Sequence, residues 1–365
     1  MLHFLEIEGF TTQSGSTQDI KLSYEVFGQP LHSAPIVLVN HALTGNSEVA
    51  GEEGWWSDLI GDHKCIDTQK YTVLAFNIPG NGYDGFVIEN YKDFVAGDIA
   101  RIFLKGLRQL EIPILHAIIG GSLGGGLAWE MAVLNPKITK HLIPVASDWK
   151  STDWLIANCQ IQEQILVNSK EPVHDARMHA MLCYRTPESF KARFQRSTNE
   201  ELQVFNVESW LMHHGKKLQE RFQLSAYKLM NQLLKTIDVT RNGETGFEQL
   251  AASDTQIHIV GVNSDLFFTA EENKETYRRF AQGNSNVTYG EIQSVHGHDA
   301  FLIEFKQLEK LLRPIFSQNG ITTHRKVLKF GGKSLANGEG LNQVLKIIQD
   351  GVANKERFVV VLSAR

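Results

Sequence analysis

The sequence predicts an α/β fold: a mostly parallel sheet with helices on both faces and a helical lid inserted late in the chain. Three observations carry this expectation. Short, continuously apolar runs alternate with stretches of helical spacing, the pattern of strands buried on both sides. One run, Ile114 to Ile119, breaks at Gly120-Gly121-Ser122-Leu123-Gly124 and gives way to the helical pattern Leu127-Ala128-Trp129-Glu130-Met131-Ala132. From about Trp149 to about Thr245 the strand runs vanish and amphipathic helices take over, before strands resume.

In chain order, Phe4-Leu5-Glu6-Ile7-Glu8 and Ile20 to Val26 alternate apolar and polar residues, so they read as two antiparallel strands with one wet face. Pro35 to Val39 is a buried strand leading into Asn40-His41-Ala42-Leu43-Thr44-Gly45, and Thr72 to Phe76 is the next, ending before Pro79-Gly80. Asp93 to Leu110 has helical spacing. The helix after Gly124 runs to Leu134 and stops at Pro136, and His141 to Ala146 is another strand. Beyond the helical segment, Ile257 to Val262 and Val287 to Ile292 are strands. Thr269 caps an intervening helix that carries Glu271 and Glu272 in its first turn, and Asp299 to Leu312 is a last helix.

Pro314 to Arg325 reads as a linker around Ser317-Gln318-Asn319-Gly320. After it come Lys326 to Ser334 and a terminal strand, Val359 to Leu362, with nothing to pair against. So short a segment cannot bury its own core and reads as the start of a truncated second domain. The expected organisation is therefore 1–148 and 246–313 as two parts of one core, 149–245 as the lid, 314–325 as linker and 326–365 as that fragment.

The chain has 365 residues, 42% of them hydrophobic, enough for a large core. Its net charge of -5 argues against nucleic acid as the main partner. Cys65, Cys159 and Cys183 show no paired spacing, which suits a reducing compartment and thiols that are not metal ligands. The N-terminus lacks the basic and long apolar parts of a signal peptide, and no apolar run approaches a membrane span. A soluble, cytoplasmic protein without membrane contact is expected.

Strand, sharp turn and helix around Gly-x-Ser-x-Gly is the arrangement of a nucleophile elbow. A serine in so tight a turn leaves no room for side chains two residues before and after it, and Gly120 and Gly124 supply that room. A phosphate loop fails on spacing, because Leu123-Gly124-Gly125 offers no lysine, and a dinucleotide turn would need glycine where Trp129 stands. A serine nucleophile needs a base and an acid to orient it, in the order Ser, Asp, His along a chain of this kind. Ser122, Asp265 and His298 meet that requirement, each after a strand. Asp148 is a rival acid and His296 a rival base; His213-His214 reads as lid surface without a metal partner. Backbone N–H groups of Leu123 and Leu43 are the expected donors to an oxyanion.

Several stretches, in one order, resemble the homoserine O-acetyltransferases: Asn40 to Gly45, Gly54-Trp55-Trp56-Ser57-Asp58-Leu59-Ile60-Gly61, Gly120 to Gly125, Ala176-Arg177-Met178, Tyr184-Arg185-Thr186-Pro187-Glu188-Ser189-Phe190 and Gly297 to Leu302. The resemblance spans about Met1 to Pro314. It implies an α/β-hydrolase fold whose lid pairs two subunits, and ping-pong transfer from acyl-CoA to Ser122 and then to the hydroxyl of L-homoserine, a step of methionine biosynthesis. No permanently bound cofactor or metal is implied, acetyl-CoA being the donor substrate.

By position, the resemblance makes Ser122, Asp265 and His298 the triad and Leu43 and Leu123 the oxyanion donors. It makes Arg177 the holder of the homoserine carboxylate, Asp299 that of its ammonium, and Tyr184 a neighbour of the substrate. The stretch Asn77 to Gly85 departs from the family's longer glycine- and cysteine-rich loop, which leaves succinyl-CoA open as donor. Lys216, Lys217 and Arg221 are either CoA-phosphate contacts or a solvated helix face. A serine hydrolase of the same fold is the rival activity, and a dead hydrolase fold serving as scaffold the non-catalytic one.

Lys329-Phe330-Gly331-Gly332-Lys333-Ser334, with Val360-Val361-Leu362-Ser363-Ala364, resembles the start of an aspartate kinase, with Lys329 at its phosphate-binding lysine and Lys333 where that family has threonine. No kinase activity is expected from so partial a segment. A Walker match fails because Val327 stands where its first glycine belongs.

Overall fold

Alternation and apolar runs sort themselves into one eight-stranded sheet. Its strands are β1 (His3–Thr11), β2 (Thr17–Gly28), β3 (Ile36–Asn40), β4 (Thr72–Phe76), β5 (Leu115–Gly121), β6 (Thr139–Val145), β7 (Gln256–Val262) and β8 (Val287–Ile292). They lie side by side in the order β1-β2-β4-β3-β5-β6-β7-β8. The β1–β2 and β2–β4 pairs are antiparallel and all others parallel. Strands β3, β4 and β5 are buried along their whole length, whereas β1 alternates, as its sequence requires. Ile114, expected within β5, lies outside it and is 47% exposed.

This computed structural model describes residues 1–282, 286–317, 326–331, 338–353 and 358–362. They divide into two units, Met1–Arg313 and Pro314–Arg365. In the first, α1 (Ala96–Gln109) packs on α2 (Leu123–Leu134), which is buried on nearly every face. The segment expected as a lid forms α3 (Asp153–Asn168), α4 (Pro172–Tyr184), α5 (Pro187–Phe194), α6 (Asn206–Gln219) and α7 (Leu224–Lys235), with one two-residue ladder, Thr198–Asn199 against Val204–Phe205. Its entry and exit are tied together: Ser151 N donates to Ile237 O at 2.9 Å and Val239 N to Trp149 O at 3.2 Å. Buried Glu130 on α2 fastens that neck, accepting from Asp238 N and pairing with Arg241 at 3.0 Å. Helix α8 (Thr245–Ala251) returns the chain to the sheet, and α9 (Ala270–Ala281) starts at Thr269, where Thr269 and Glu272 form the reciprocal cap.

Three expectations need correction. The last helix of the core is not one element from Asp299: Gly297–Leu302 is a 3₁₀ turn, and α10 (Phe305–Ser317) begins after Glu304. That helix also runs through Pro314 into the stretch expected as linker. A mid-helix proline costs about 3 kcal/mol, and burying Ile315 and Phe316 returns about 1.5–3 kcal/mol each, which is enough to carry the helix on. In the second unit, β9 (Lys326–Phe330), α11 (Gly338–Ala353) and β10 (Phe358–Leu362) form a strand–helix–strand unit whose strands pair in parallel. The terminal strand therefore does have a partner. Gly332, Lys333, Ser334, Ser363 and Ala364 lie outside the described residues.

The elbow leaves no room for a side chain at either flanking glycine. A Cβ on Gly120 would stand 2.3 Å from Gly124 O, and one on Gly124 would stand 2.3 Å from Asn40 O and 2.7 Å from His41 O. All of these obstacles are backbone. Gly124→Ala should therefore lower the unfolding free energy by about 1–3 kcal/mol, the range for overpacking, measured by urea denaturation. A wild-type midpoint would show that the elbow has slack.

Candidate active site

Three loops at the carboxyl ends of β5, β7 and β8 converge. Ser122 closes the turn from β5 into α2 at φ 55° and ψ −125°, a conformation costing about 1–3 kcal/mol that the surrounding contacts must hold. His298 Nε2 lies 2.8 Å from Ser122 Oγ, and His298 Nδ1 lies 2.7 Å from Asp265 Oδ2. With Oγ–H donating to Nε2, the ring proton sits on Nδ1 and is donated to Asp265. The other carboxylate oxygen, Asp265 Oδ1, accepts from Phe267 N at 2.6 Å and Phe268 N at 3.0 Å. One carboxylate oxygen is thus held by its own loop and the other by the imidazole. The loops are stitched together by Ser264, whose Oγ donates to Ser294 O and accepts from Gly297 N.

The imidazole is boxed by aromatic rings. Tyr184, Phe267, Phe268 and Phe301 have ring centroids 5.6, 5.1, 5.9 and 5.6 Å from that of His298. Ser122, His298 and Asp265 are all buried. Sequence reasoning missed this enclosure: it gave Phe267, Phe268 and Phe301 no role, and their closeness in the chain to Asp265 and His298 is the one signal that could have found them.

Both rivals are engaged elsewhere. Asp148 accepts from Trp149 N at 2.8 Å, Thr276 Oγ1 at 2.8 Å and Asn273 Nδ2 at 3.2 Å, and burial pushes its carboxyl up to about 7. His296 Nδ1 faces Ser189 Oγ of α5 at 3.2 Å. The lid also reaches the catalytic loops through Thr186 Oγ1, which donates to Val295 O, and Trp154 Nε1, which donates to Leu266 O at 2.6 Å.

Leu123 opens α2 directly after Ser122, and the first N–H of a helix has no intrahelical acceptor. Leu43 sits in the loop after β3, whose backbone presses on Gly124. It also lines a small enclosed cavity with Tyr184, Tyr227 and Phe267.

On α4, half-buried Arg177 lays its guanidinium over the Tyr184 ring, 5.6 Å from the centroid, and forms no ion pair among the described residues. Asp299, next to His298, does have a partner: Arg185 Nη1 stands 3.7 Å from Asp299 Oδ2. Burial raises the Asp299 carboxyl, while Arg177, His298 and Arg185 oppose the rise. Arg185 was present in the sequence pattern without a role. Burial pushes the Tyr184 hydroxyl well up, aided by Tyr227 and countered by Arg177, so it stays a neutral donor and acceptor.

Lys216 and Lys217 lie exposed on α6, as a solvated face would, but Arg221 Nη1 donates to Thr44 O at 3.1 Å and so ties the lid to the loop carrying Leu43. His213 is surface, whereas its neighbour His214 is half-buried against Trp210, at 4.3 Å between ring centroids.

The geometry separates the two acids by experiment. Asp265→Asn should lower kcat by about 10²–10⁴-fold through loss of the imidazole's tautomer and orientation. Asp148→Asn should stay within about threefold of wild type. The reverse ranking would assign the acid to Asp148.

Comparison with known proteins agrees with this architecture. A model of the alpha/beta hydrolase fold matches residues 35–163. The chain is 32% identical over 325 residues to homoserine O-acetyltransferase of Chloroherpeton thalassium, a match covering 82% of this chain and 84% of that protein. Among solved structures it is similar to homoserine O-acetyltransferase from Staphylococcus aureus, with a TM-score of 0.74, 24% identity, and 89% and 97% of the two chains covered. A crystallised esterase has the same fold at a TM-score of 0.76 and 19% identity, over 87% of this chain and 99% of its own. The triad geometry and these relatives lead to one conclusion: the chain belongs to the homoserine O-acetyltransferase family, built on an α/β-hydrolase fold.

Proposed function

We propose that this chain transfers an acetyl group from acetyl-CoA to the hydroxyl of L-homoserine through an acyl-Ser122 intermediate. His298 Nε2 takes the Ser122 proton as Oγ attacks the thioester carbonyl. The negative charge forming on the carbonyl oxygen is met by the N–H groups of Leu123 and Leu43, each such donor being worth about 3 kcal/mol of barrier. The tetrahedral adduct collapses, the C–S bond breaks and the CoA sulfur leaves with the proton held by His298. The homoserine hydroxyl then gives its proton to Nε2 and attacks the acyl carbonyl, and Ser122 Oγ departs, regaining a proton from His298. Asp265 favours the imidazolium in both halves.

One observation carries the acceptor assignment: a half-buried, ion-pair-free Arg177 beside Tyr184, whose ring touches the catalytic imidazole. A simple esterase has no use for such a cation, whereas a substrate carboxylate does. Asp299 takes the ammonium, with Arg185 holding one of its oxygens in place. The aromatic enclosure favours transfer over hydrolysis by keeping water from the acyl-serine.

A homodimer joined through the lid is supported by the exposed apolar side chains Leu182, Leu202, Phe205 and Met212. A cytoplasmic location fits a chain in which no described helix is long and apolar enough to cross a membrane. For the second unit we keep the reading of a kinase-like start without phosphoryl transfer of its own. Its strand–helix–strand order and exposed Lys329 are compatible with that, and the relatives named above lend it no support.

CoA release from acetyl-CoA, followed with and without L-homoserine, tests the proposal. Homoserine-dependent release, with a Ser122-borne mass gain of one acetyl group after brief exposure to acetyl-CoA alone, is expected. Equal release in both would make the chain a hydrolase. Arg177→Ala should raise KM for L-homoserine about 10–100-fold, the loss of a charge-assisted contact of about 1.5–3 kcal/mol, and move KM for acetyl-CoA far less. An unchanged homoserine KM would remove Arg177 from the acceptor site.

A further inference from the structure

We propose that His41 is a positioning residue for the oxyanion hole, acting through the Ala42–Leu43 peptide. This rests on the reading of Leu43 as an oxyanion donor. His41 follows β3 and is 1% exposed, with both ring nitrogens engaged. Its Nε2 lies 2.9 Å from Ile78 N. A backbone amide can only donate, so Nε2 is the bare nitrogen and Nδ1 carries the proton. Nδ1 lies 2.8 Å from Ala42 O and therefore donates to that carbonyl. Gly45 N donates to the same oxygen at 2.9 Å.

A peptide unit is planar, so fixing the direction of its C=O fixes the direction of its N–H on the opposite side. The N–H opposite the Ala42 carbonyl belongs to Leu43. Two donors on that carbonyl also polarise the amide and make its N–H a better donor to a developing negative charge. Burial pushes the His41 imidazole down to about 4, so the ring keeps its single proton across the range in which an acyl-serine forms.

The support behind His41 comes from the stretch Asn77 to Gly85. Asn81 Nδ2 lies 3.3 Å from His41 Nε2 and 3.2 Å from Asn77 Oδ1. Asn77 in turn accepts from Ser47 N at 2.8 Å and donates to Ser23 Oγ and Ser47 Oγ, and Ser47 Oγ donates to Glu25 Oε2 at 2.8 Å. That loop thus holds the imidazole, and the imidazole holds the amide.

Two near-isosteric variants separate this role from mere packing. In His41→Asn the side-chain amide nitrogen occupies the place of Nδ1 and can still donate to Ala42 O. In His41→Gln the amide reaches the place of Nε2 and leaves that carbonyl without its side-chain donor. The readout is the rate of Ser122 acylation by p-nitrophenyl acetate, with Ser122→Ala as the blank and thermal unfolding of each variant alongside. Because no acceptor enters this assay, failure of homoserine transfer would be seen separately. His41→Gln should slow acylation about 10–100-fold, short of the full loss of an oxyanion donor, with KM for the ester within about threefold. His41→Asn should recover most of that rate. Both variants within threefold of wild type, or both slowed equally in step with a lowered Tm, would overturn the proposal.

Discussion

The hydrogen bond from Ser122 to His298, 2.8 Å long, joins groups 176 residues apart, and the rest of the structure is arranged so that it can exist. Neither partner would hold its place alone. Ser122 is kept at positive φ by a turn that closes only because Gly120 and Gly124 let backbone touch backbone. His298 is kept upright by Asp265 on one side and by aromatic rings on the others. A strained serine is useful for the reason that it is costly: the conformation lifts Oγ out of the sheet toward the base, and the helix start behind it leaves an amide free for negative charge.

The lid is as much a part of this arrangement as the strands are. Its neck is sealed by backbone bonds between 149–151 and 237–239, so it behaves as one attachment, not two loose ends. From there it reaches down at three places: Trp154 to the acid loop, Thr186 and Ser189 to the histidine loop, and Arg221 to the loop of Leu43. Each contact lands within a few residues of Asp265, His298 or Leu43. Movement of the lid would therefore be felt by the loops of Asp265, His298 and Leu43 together.

What could be read from the sequence followed from local rules. Gly-x-Ser-x-Gly between an apolar run and a helical pattern demands one geometry, and Asp265 and His298 sit where strand ends put them. Apolar runs located the strands of the main sheet to within a few residues. The failures share a cause: they depend on partners distant in the chain. Pro314 looked like a stop, yet the burial of Ile315 and Phe316 outweighed it. The strand at Phe358–Leu362 read as unpaired, yet it pairs in parallel with Lys326–Phe330, some thirty residues earlier, across an intervening helix. Arg185 and His41 carried no local signal, since an ion pair to Asp299 and a hydrogen bond from Ile78 exist only after folding.

A fold shared with esterases has to solve a further problem before it can serve transfer. An acyl-serine is attacked by whichever nucleophile reaches it, and water is present at far higher concentration than any amino acid. Shape and charge must therefore favour the larger acceptor by more than that disparity. Aromatic rings enclose His298, and on the proposed reading Arg177 offers the acceptor a binding contact that water cannot use. Binding energy obtained away from the reacting oxygen can then be spent on holding that oxygen against the carbonyl, where correct placement is worth up to about 7–11 kcal/mol. Seen this way, the difference between hydrolysis and transfer lies less in the triad, which either reaction needs, than in α4 and the turn after it, which carry the cation and the ring laid against the imidazole.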